Sequence, residues 1–176
     1  VTHETITADR PLRGIVVGAG GLGPFWAKEL LDSPDTELVG WVDLDAARAE
    51  EKAAALKAKV PTGPSLADMM AAEAPDFVVN VTAPLAHFDV TVAALEGGAA
   101  VLSEKPMAPT MREARDMVAA ADRAGRLFMV SQNRRYMPGL VAYRETLGRA
   151  GELASLVCDF YLAHRVPPEH FLFTLD

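Results

Sequence analysis

The stretch "RGIVVGAGGLGPFWAKELLDS", residues 13–33, changes its hydrophobic period at a cluster of glycines. Ile15, Val16 and Val17 form a short continuous β-branched run, as in a strand covered on both faces. Beyond the glycines, Leu22, Trp26 and Leu30 recur at helical spacing, so the segment predicts strand, tight turn, helix. Gly18, Gly20 and Gly23 fit G-x-G-x-x-G, with Gly21 and Leu22 at its variable positions. Between a strand and a helix those glycines allow a tight turn, and they let backbone N–H groups at the positive end of the helix approach a pyrophosphate.

The pattern repeats outward from this unit. "TELVGWVDLD", residues 36–45, reads as a second strand, residues 46–57 as an alanine-rich helix, and "SLADMMAAEA", residues 65–74, as a helix opened by Ser65 with Asp68 three residues on. "PDFVVNVTAP", residues 75–84, is a further buried strand, followed by a helix over 84–97 and a strand over 99–103. A helix over 110–124 carries a Thr110–Glu113 capping box and stops at Gly125, and a strand follows over 127–132. Apolar strands alternating with helices predict an α/β fold, a Rossmann-type doubly wound parallel sheet over residues 1–133. After "SQNRRYMPG" the rhythm changes. Residues 140–149 read as one helix, and Leu156, Cys158, Phe160 and Leu162 alternate as in a strand over 153–163 with one buried face. Residues 134–176 thus read as the beginning of a second α/β domain with an open sheet, too little for a core of its own. The expectation is that this strand is disordered in isolation or buried by another copy of the chain.

Composition narrows the function classes. The chain has 176 residues, half of them apolar, and a formal charge of -7, and its Arg134-Arg135 pair stands alone, which argues against a nucleic-acid surface and for small molecules or other chains as partners. One cysteine, Cys158, excludes an internal disulfide and any cysteine-based metal cluster, and fits a reducing compartment. No apolar run is long enough to cross a bilayer and the opening residues lack the apolar core of a signal peptide, so the sequence reads as cytoplasmic.

Polar residues at the strand ends are the candidate site. Asp43 closes the second strand twenty residues after Gly23, where a carboxylate can accept hydrogen bonds from both ribose hydroxyls of an adenosine. That carboxylate repels a 2′-phosphate, and Leu44 offers no cation in its place, so NAD is favoured over NADP. "NVTAPLAH", residues 80–87, brings Asn80, Thr82, Pro84 and His87 to the same sheet edge, with His87 either near the cofactor or on the surface. "SEKP", residues 103–106, ends the next strand, which puts Glu104 and Lys105 beside the nicotinamide end of a dinucleotide, where a lysine suits proton transfer with a hydroxyl. No His, Cys, Asp or Glu grouping has metal-ligand spacing, and there is no G-x-S-x-G elbow.

With "GAGGLG", "WVDLD", "VTAPLAH", "ALEGGAAVLSEKPMAPT" and "SQNRRYMPG" in this order, the chain resembles the glucose-fructose oxidoreductase / inositol dehydrogenase / MocA (Gfo/Idh/MocA) family from residue 13 to about residue 165. The resemblance implies a Rossmann domain followed by an α/β domain with a large open sheet, NAD or NADP as cofactor, and oxidation or reduction of a sugar, polyol or related alcohol. It implies Lys105 as the catalytic lysine, Glu104 as a ligand of the nicotinamide ribose, and Asn133 and Arg134 as neighbours of nicotinamide and substrate. It also implies a homo-oligomer formed through the second domain's sheet. Family catalysis uses an aspartate and a histidine on a D-x-x-x-H helix, a motif not met by Asp176, so these residues alone are expected to bind NAD without turning over a polyol. Glycoside hydrolysis through transient oxidation and a non-catalytic, dinucleotide-binding regulator are the alternative readings.

Overall fold

The computed structural model describes residues 9–149 together with Gly151, Glu152, Ser155 and Val157. The chain divides into two compact units, Val1–Gln132 and Asn133–Asp176. In the first, strands β1 (Leu12–Val17), β2 (Thr36–Val42), β3 (Thr62–Gly63), β4 (Phe77–Asn80), β5 (Ala100–Ser103) and β6 (Phe128–Val130) alternate with helices α1 (Gly23–Asp32), α2 (Ala46–Ala55), α3 (Leu66–Glu73), α4 (His87–Glu96) and α5 (Met111–Ala124). All strand pairings are parallel, in the order β3-β2-β1-β4-β5-β6. The order reverses between β1 and β4, and at such a switch point the loops leaving the two carboxyl ends diverge and open a crevice.

Apolar residues on both faces make two cores. Ala27 and Leu30 of α1 and Ala49 and Ala53 of α2 pack with Val16, Leu38, Trp41 and Val79. Met69 of α3, Ala94 and Leu95 of α4 and Ala120 and Ala121 of α5 pack with Ile15, Val17, Val78 and Val101 on the opposite face. In β2 the alternation between faces is reset: Gly14 pairs with Leu38 but Ile15 pairs with Gly40, leaving Val39 as an extra residue. Without that bulge Trp41 would point to the other side of the sheet; with it Trp41 joins the α1 and α2 face.

Local signals account for several helix ends. Asp45 and Ser65 accept hydrogen bonds from the backbone N–H groups of Arg48 and Asp68 at the starts of α2 and α3. The Thr110–Glu113 capping box is complete, and Gly125 ends α5 in the left-handed conformation. Other boundaries differ from the sequence pattern. Leu22 is not on the buried stripe of α1 but at its N-cap position, 45% exposed, and Gly23, Ala27 and Leu30 form the buried face. Residues 84–97 begin as a separate 3-10 turn, Pro84–Ala86, before α4. The last strand keeps only its middle residues, and the two-residue β3 has no apolar run to announce it.

The second unit contributes a 3-10 turn, Asn133–Tyr136, and helix α6 (Pro138–Arg149). Tyr136, Met137, Leu140 and Tyr143 are exposed. The strand expected over 153–163 and Cys158 fall outside the described residues. Among the described residues, no helix is long and apolar enough to cross a membrane.

At the amino edge of the sheet Asp76 joins the starts of β1 and β4. Its carboxylate accepts hydrogen bonds from the Arg10 guanidinium at 2.7 and 3.0 Å and from the Arg13 backbone N–H at 2.7 Å. The Arg10 hydrogen bonds hold the Asp76 carboxyl below its ordinary value, against the opposing effect of burial and with help from the Arg13 N–H. A group held low when folded contributes stability that is present above its unfolded value, about 3.9, and is lost as pH falls through its folded value. Urea midpoints measured from pH 6 downward should therefore fall more steeply below about pH 4 in the parent chain than in Asp76→Asn; equal slopes would show that Asp76 is not held this way.

Candidate functional site

The site is built on the loop that leaves β1. Gly18 turns at φ +109°, and a Cβ added there would lie 2.7 Å from the Val81 carbonyl oxygen, so the loop after β1 runs against the loop after β4 with room only for hydrogen. Three hydrogen bonds hold it in place. The Gly18 N–H donates to Val42 O at 2.7 Å, the buried Trp41 indole N–H donates to Gly18 O at 3.1 Å, and the Ala19 N–H donates to Asp43 Oδ2 at 2.6 Å. A Cβ on Gly23 would come within 2.3 Å of Gly18 O. Gly18 and Gly23 are thus demanded by the fold itself.

Gly20 and Gly21 differ. Both are exposed, neither has a positive φ, and a Cβ on either would meet no atom within 4 Å. Nothing among the described residues requires glycine there; the omitted side chains leave a cradle of bare backbone before α1. No side chain caps that end of α1, whereas side-chain oxygens cap α2, α3 and α5. The positive end of a helix favours an anionic group. The open cradle, the uncapped helix and the Asp43 carboxylate beside them fit the pyrophosphate and adenosine ribose of a dinucleotide.

Asp43 has a partner that the sequence reading did not see. Its Oδ1 accepts from the Asp45 N–H at 2.9 Å and lies 3.7 Å from the Arg48 guanidinium, which also reaches Asp45 at 3.3 Å. The cation missing at Leu44, which is 93% exposed, stands one helical turn further on and is shared by two carboxylates.

After β4, Asn80 is fully buried: its amide NH2 donates to His87 O and Thr91 Oγ1, both at 3.1 Å, and its oxygen accepts from the Thr82 N–H at 3.3 Å and hydroxyl at 2.7 Å. His87 is 1% exposed, which corrects the surface alternative. Its ring nitrogens lie 2.7 Å from Pro106 O and 3.1 Å from Thr82 O, so the imidazole joins the loop after β4 to the loop after β5. Asn80 and His87 shape the crevice wall from within. Pro84 is buried, Thr82 half-buried, and Leu85 beside them exposed.

After β5, Glu104 is 8% exposed, and among the described residues the ion pairs seen at Asp43, Asp76 and other carboxylates do not include it. Two neutral donors hold it instead: the Trp26 indole N–H at 3.0 Å on Oε1 and the Lys105 backbone N–H at 3.1 Å on Oε2. Lys105 is exposed, and its peptide bond to Pro106 is cis. The first unit therefore brings together, at the carboxyl edge of one sheet, Gly18, Gly20, Gly21, Leu22, Gly23, Asp43, Thr82, Pro84, Glu104 and Lys105, with Asn80 and His87 behind them. Asn133 and Arg134 are exposed residues of the second unit's 3-10 turn. Helical spacing and strand pattern account for Trp26 and Trp41 as packing residues and miss their donor roles; the signal available was that a half-buried or buried indole needs an acceptor for its N–H. Among the described residues no group of three or more His, Cys, Asp or Glu side chains could hold a metal ion.

Comparison with known proteins gives the same picture. Residues 12–132 match the Gfo/Idh/MocA family model, described as an oxidoreductase family with an NAD-binding Rossmann fold. The chain is 31% identical over 150 residues to a D-apiose dehydrogenase from Paraburkholderia graminis, covering 85% of this chain and 39% of that protein. It is 33% identical over 143 residues to an inositol 2-dehydrogenase from Paenarthrobacter aurescens, covering 78% of this chain and 42% of the relative. The WlbA dehydrogenase from Bordetella pertussis, solved in complex with NADH and UDP-GlcNAcA, superposes with a TM-score of 0.77 at 27% identity over 82% of this chain and 42% of that one. The chain thus spans about two fifths of the length of these relatives. With the family model covering the whole sheet, from the first residue of β1 to the loop after β6, the chain belongs to the Gfo/Idh/MocA family of oxidoreductases.

Proposed function

We propose that this chain binds NAD in the crevice at the carboxyl ends of β1 and β4 and serves an NAD-dependent dehydrogenase acting on a sugar, a polyol or a related alcohol. The observation that carries the reading is the bare cradle at Gly20 and Gly21, which no contact among the described residues explains. NAD bound there supplies a hydride acceptor. The backbone before α1 binds the pyrophosphate, and Asp43 accepts from the ribose hydroxyls through lone pairs left over from its bonds to Ala19 and Asp45. Glu104, already fixed at both oxygens, positions the nicotinamide ribose. Lys105, exposed at the end of β5, takes the hydroxyl proton at its Nζ as the alcohol is oxidised and returns it in the reverse direction. Asn133 and Arg134 belong to the nicotinamide and substrate end of this reading.

The names of the relatives support a polyhydroxylated substrate. The preference for NAD over NADP rests on Asp43, because Arg48 is already shared between Asp43 and Asp45 and leaves net negative charge where a 2′-phosphate would sit. A cytoplasmic protein, oligomeric through the second domain, completes the reading, supported by the single cysteine and by the alternating apolar residues from Leu156 to Leu162 in the sequence.

Calorimetry with NAD and NADP on the 176-residue chain is the primary test. Gly20→Val should abolish NAD binding with a change in folding stability within about 0.5 kcal/mol. Gly23→Ala, whose Cβ meets Gly18 O, should lose roughly 1–3 kcal/mol of stability. NAD binding by Gly20→Val equal to that of the parent would overturn the assigned cradle.

Asp43→Ala should weaken NAD by roughly 10- to 100-fold, the loss of hydrogen bonds to a charged acceptor, and narrow its preference over NADP. Tighter binding of NADP than NAD by the unaltered chain would contradict the preference. In a complete enzyme carrying Lys105→Met, NAD affinity should hold within about twofold while sugar- or polyol-dependent turnover falls by roughly 100-fold or more. A loss of NAD affinity with turnover per bound cofactor intact would exchange the roles of Lys105 and Glu104.

A further inference from the structure

We propose that Trp26 is a positioning residue of the dinucleotide site, holding Glu104 in place by its indole N–H; the proposal rests on the reading of that site as one for NAD. Glu104 is a residue with 8% exposure, and both of its carboxylate oxygens are held by neutral donors. The Lys105 N–H is adjacent in the chain and fixes one oxygen locally. The Trp26 N–H is 78 residues away in sequence and sets where the carboxylate stands relative to the glycine loop.

The reach explains the residue type. Helix α1 begins where β1 ends, and β5 lies two strand positions from β1, with β4 between, a separation of roughly 10 Å. A tryptophan spans much of such a gap with a rigid ring that ends in a donor. The body of Trp26 packs against the α1 and α2 core cluster and meets the Phe25 ring edge-on at 6.1 Å, while its N–H reaches Glu104. Ring and helix thus connect the segment read as holding the pyrophosphate to the carboxylate read as holding the nicotinamide ribose. The two ends of a bound dinucleotide are kept at a fixed separation by the protein before the ligand arrives, which lowers the ordering cost of binding.

Only Trp26 and Trp41 carry indoles in this chain, so a proton–nitrogen spectrum has two indole N–H resonances, and Trp26→Phe assigns them. In the ligand-free chain, Glu104→Ala should move the Trp26 resonance and speed its exchange with water while leaving that of Trp41 nearly in place. Glu104→Gln, which keeps an oxygen acceptor, should move it less. In NADH titrations Trp26→Phe should weaken binding roughly 10-fold, the worth of one hydrogen bond to a charged group. The double variant Trp26→Phe, Glu104→Ala should bind no more weakly than Glu104→Ala alone. A Trp26 indole indifferent to Glu104→Ala, or affinity losses that add in the double variant, would overturn the proposal and leave Trp26 a packing residue. Failure of the unaltered chain to bind NADH would overturn the dinucleotide reading instead, and it is distinguishable because the indole resonances are read without ligand.

Discussion

The close approach of Gly18 to Val81 is the constraint on which the rest of the site depends. Two parallel neighbours, β1 and β4, send their chains in opposite directions at the carboxyl edge, and the crevice exists only if the first loop can bend directly against the second. A hydrogen in place of a Cβ permits this, since the Val81 carbonyl oxygen would stand 2.7 Å from any larger group. Everything that fixes Gly18 then acts on the crevice. Trp41 reaches its carbonyl from β2 because the bulge at Val39 turns the indole to that face, and Asp43 holds the next N–H.

A second group of interactions does for the loops after β4 and β5 what Trp41 and Asp43 do for the glycine loop. His87 joins the carbonyls of Thr82 and Pro106, Asn80 closes the turn between β4 and α4, and Trp26 fixes Glu104. The crevice is lined by backbone and exposed residues, while the polar side chains behind it are almost all committed to one another. Rigidity of this kind keeps groups at set distances around Lys105, an exposed side chain beside a buried carboxylate and the group proposed to move a proton.

Features whose causes are local are legible in the sequence. The β-branched runs, the Thr110–Glu113 box, the Gly125 stop and the Ser65 cap each depend on residues a few positions apart, and they appear where the pattern places them. The α/β class and the convergence of glycines, Asp43, Thr82 and Glu104 on one edge follow from the alternation of strands and helices. Features set by tertiary contact are not legible. The Val39 bulge depends on register with β1, β3 exists only as an addition to β2, and Leu22 stands outside the buried stripe because α1 starts one residue later. The His87–Pro106 contact and the Trp26–Glu104 bond join residues 19 and 78 positions apart in the chain, and no spacing rule announces them.

The most direct test is the map of backbone amide shifts as NAD is titrated into the 176-residue chain. The account predicts saturable changes concentrated in the loops after β1, β2, β4 and β5, over residues 18–23, 43–45, 81–87 and 104–106, with little change at the amino edge of the sheet. Saturable changes centred instead on the cavity lined by Leu95, Gly98, Arg123 and Arg126, with the glycine loop unmoved, would contradict it.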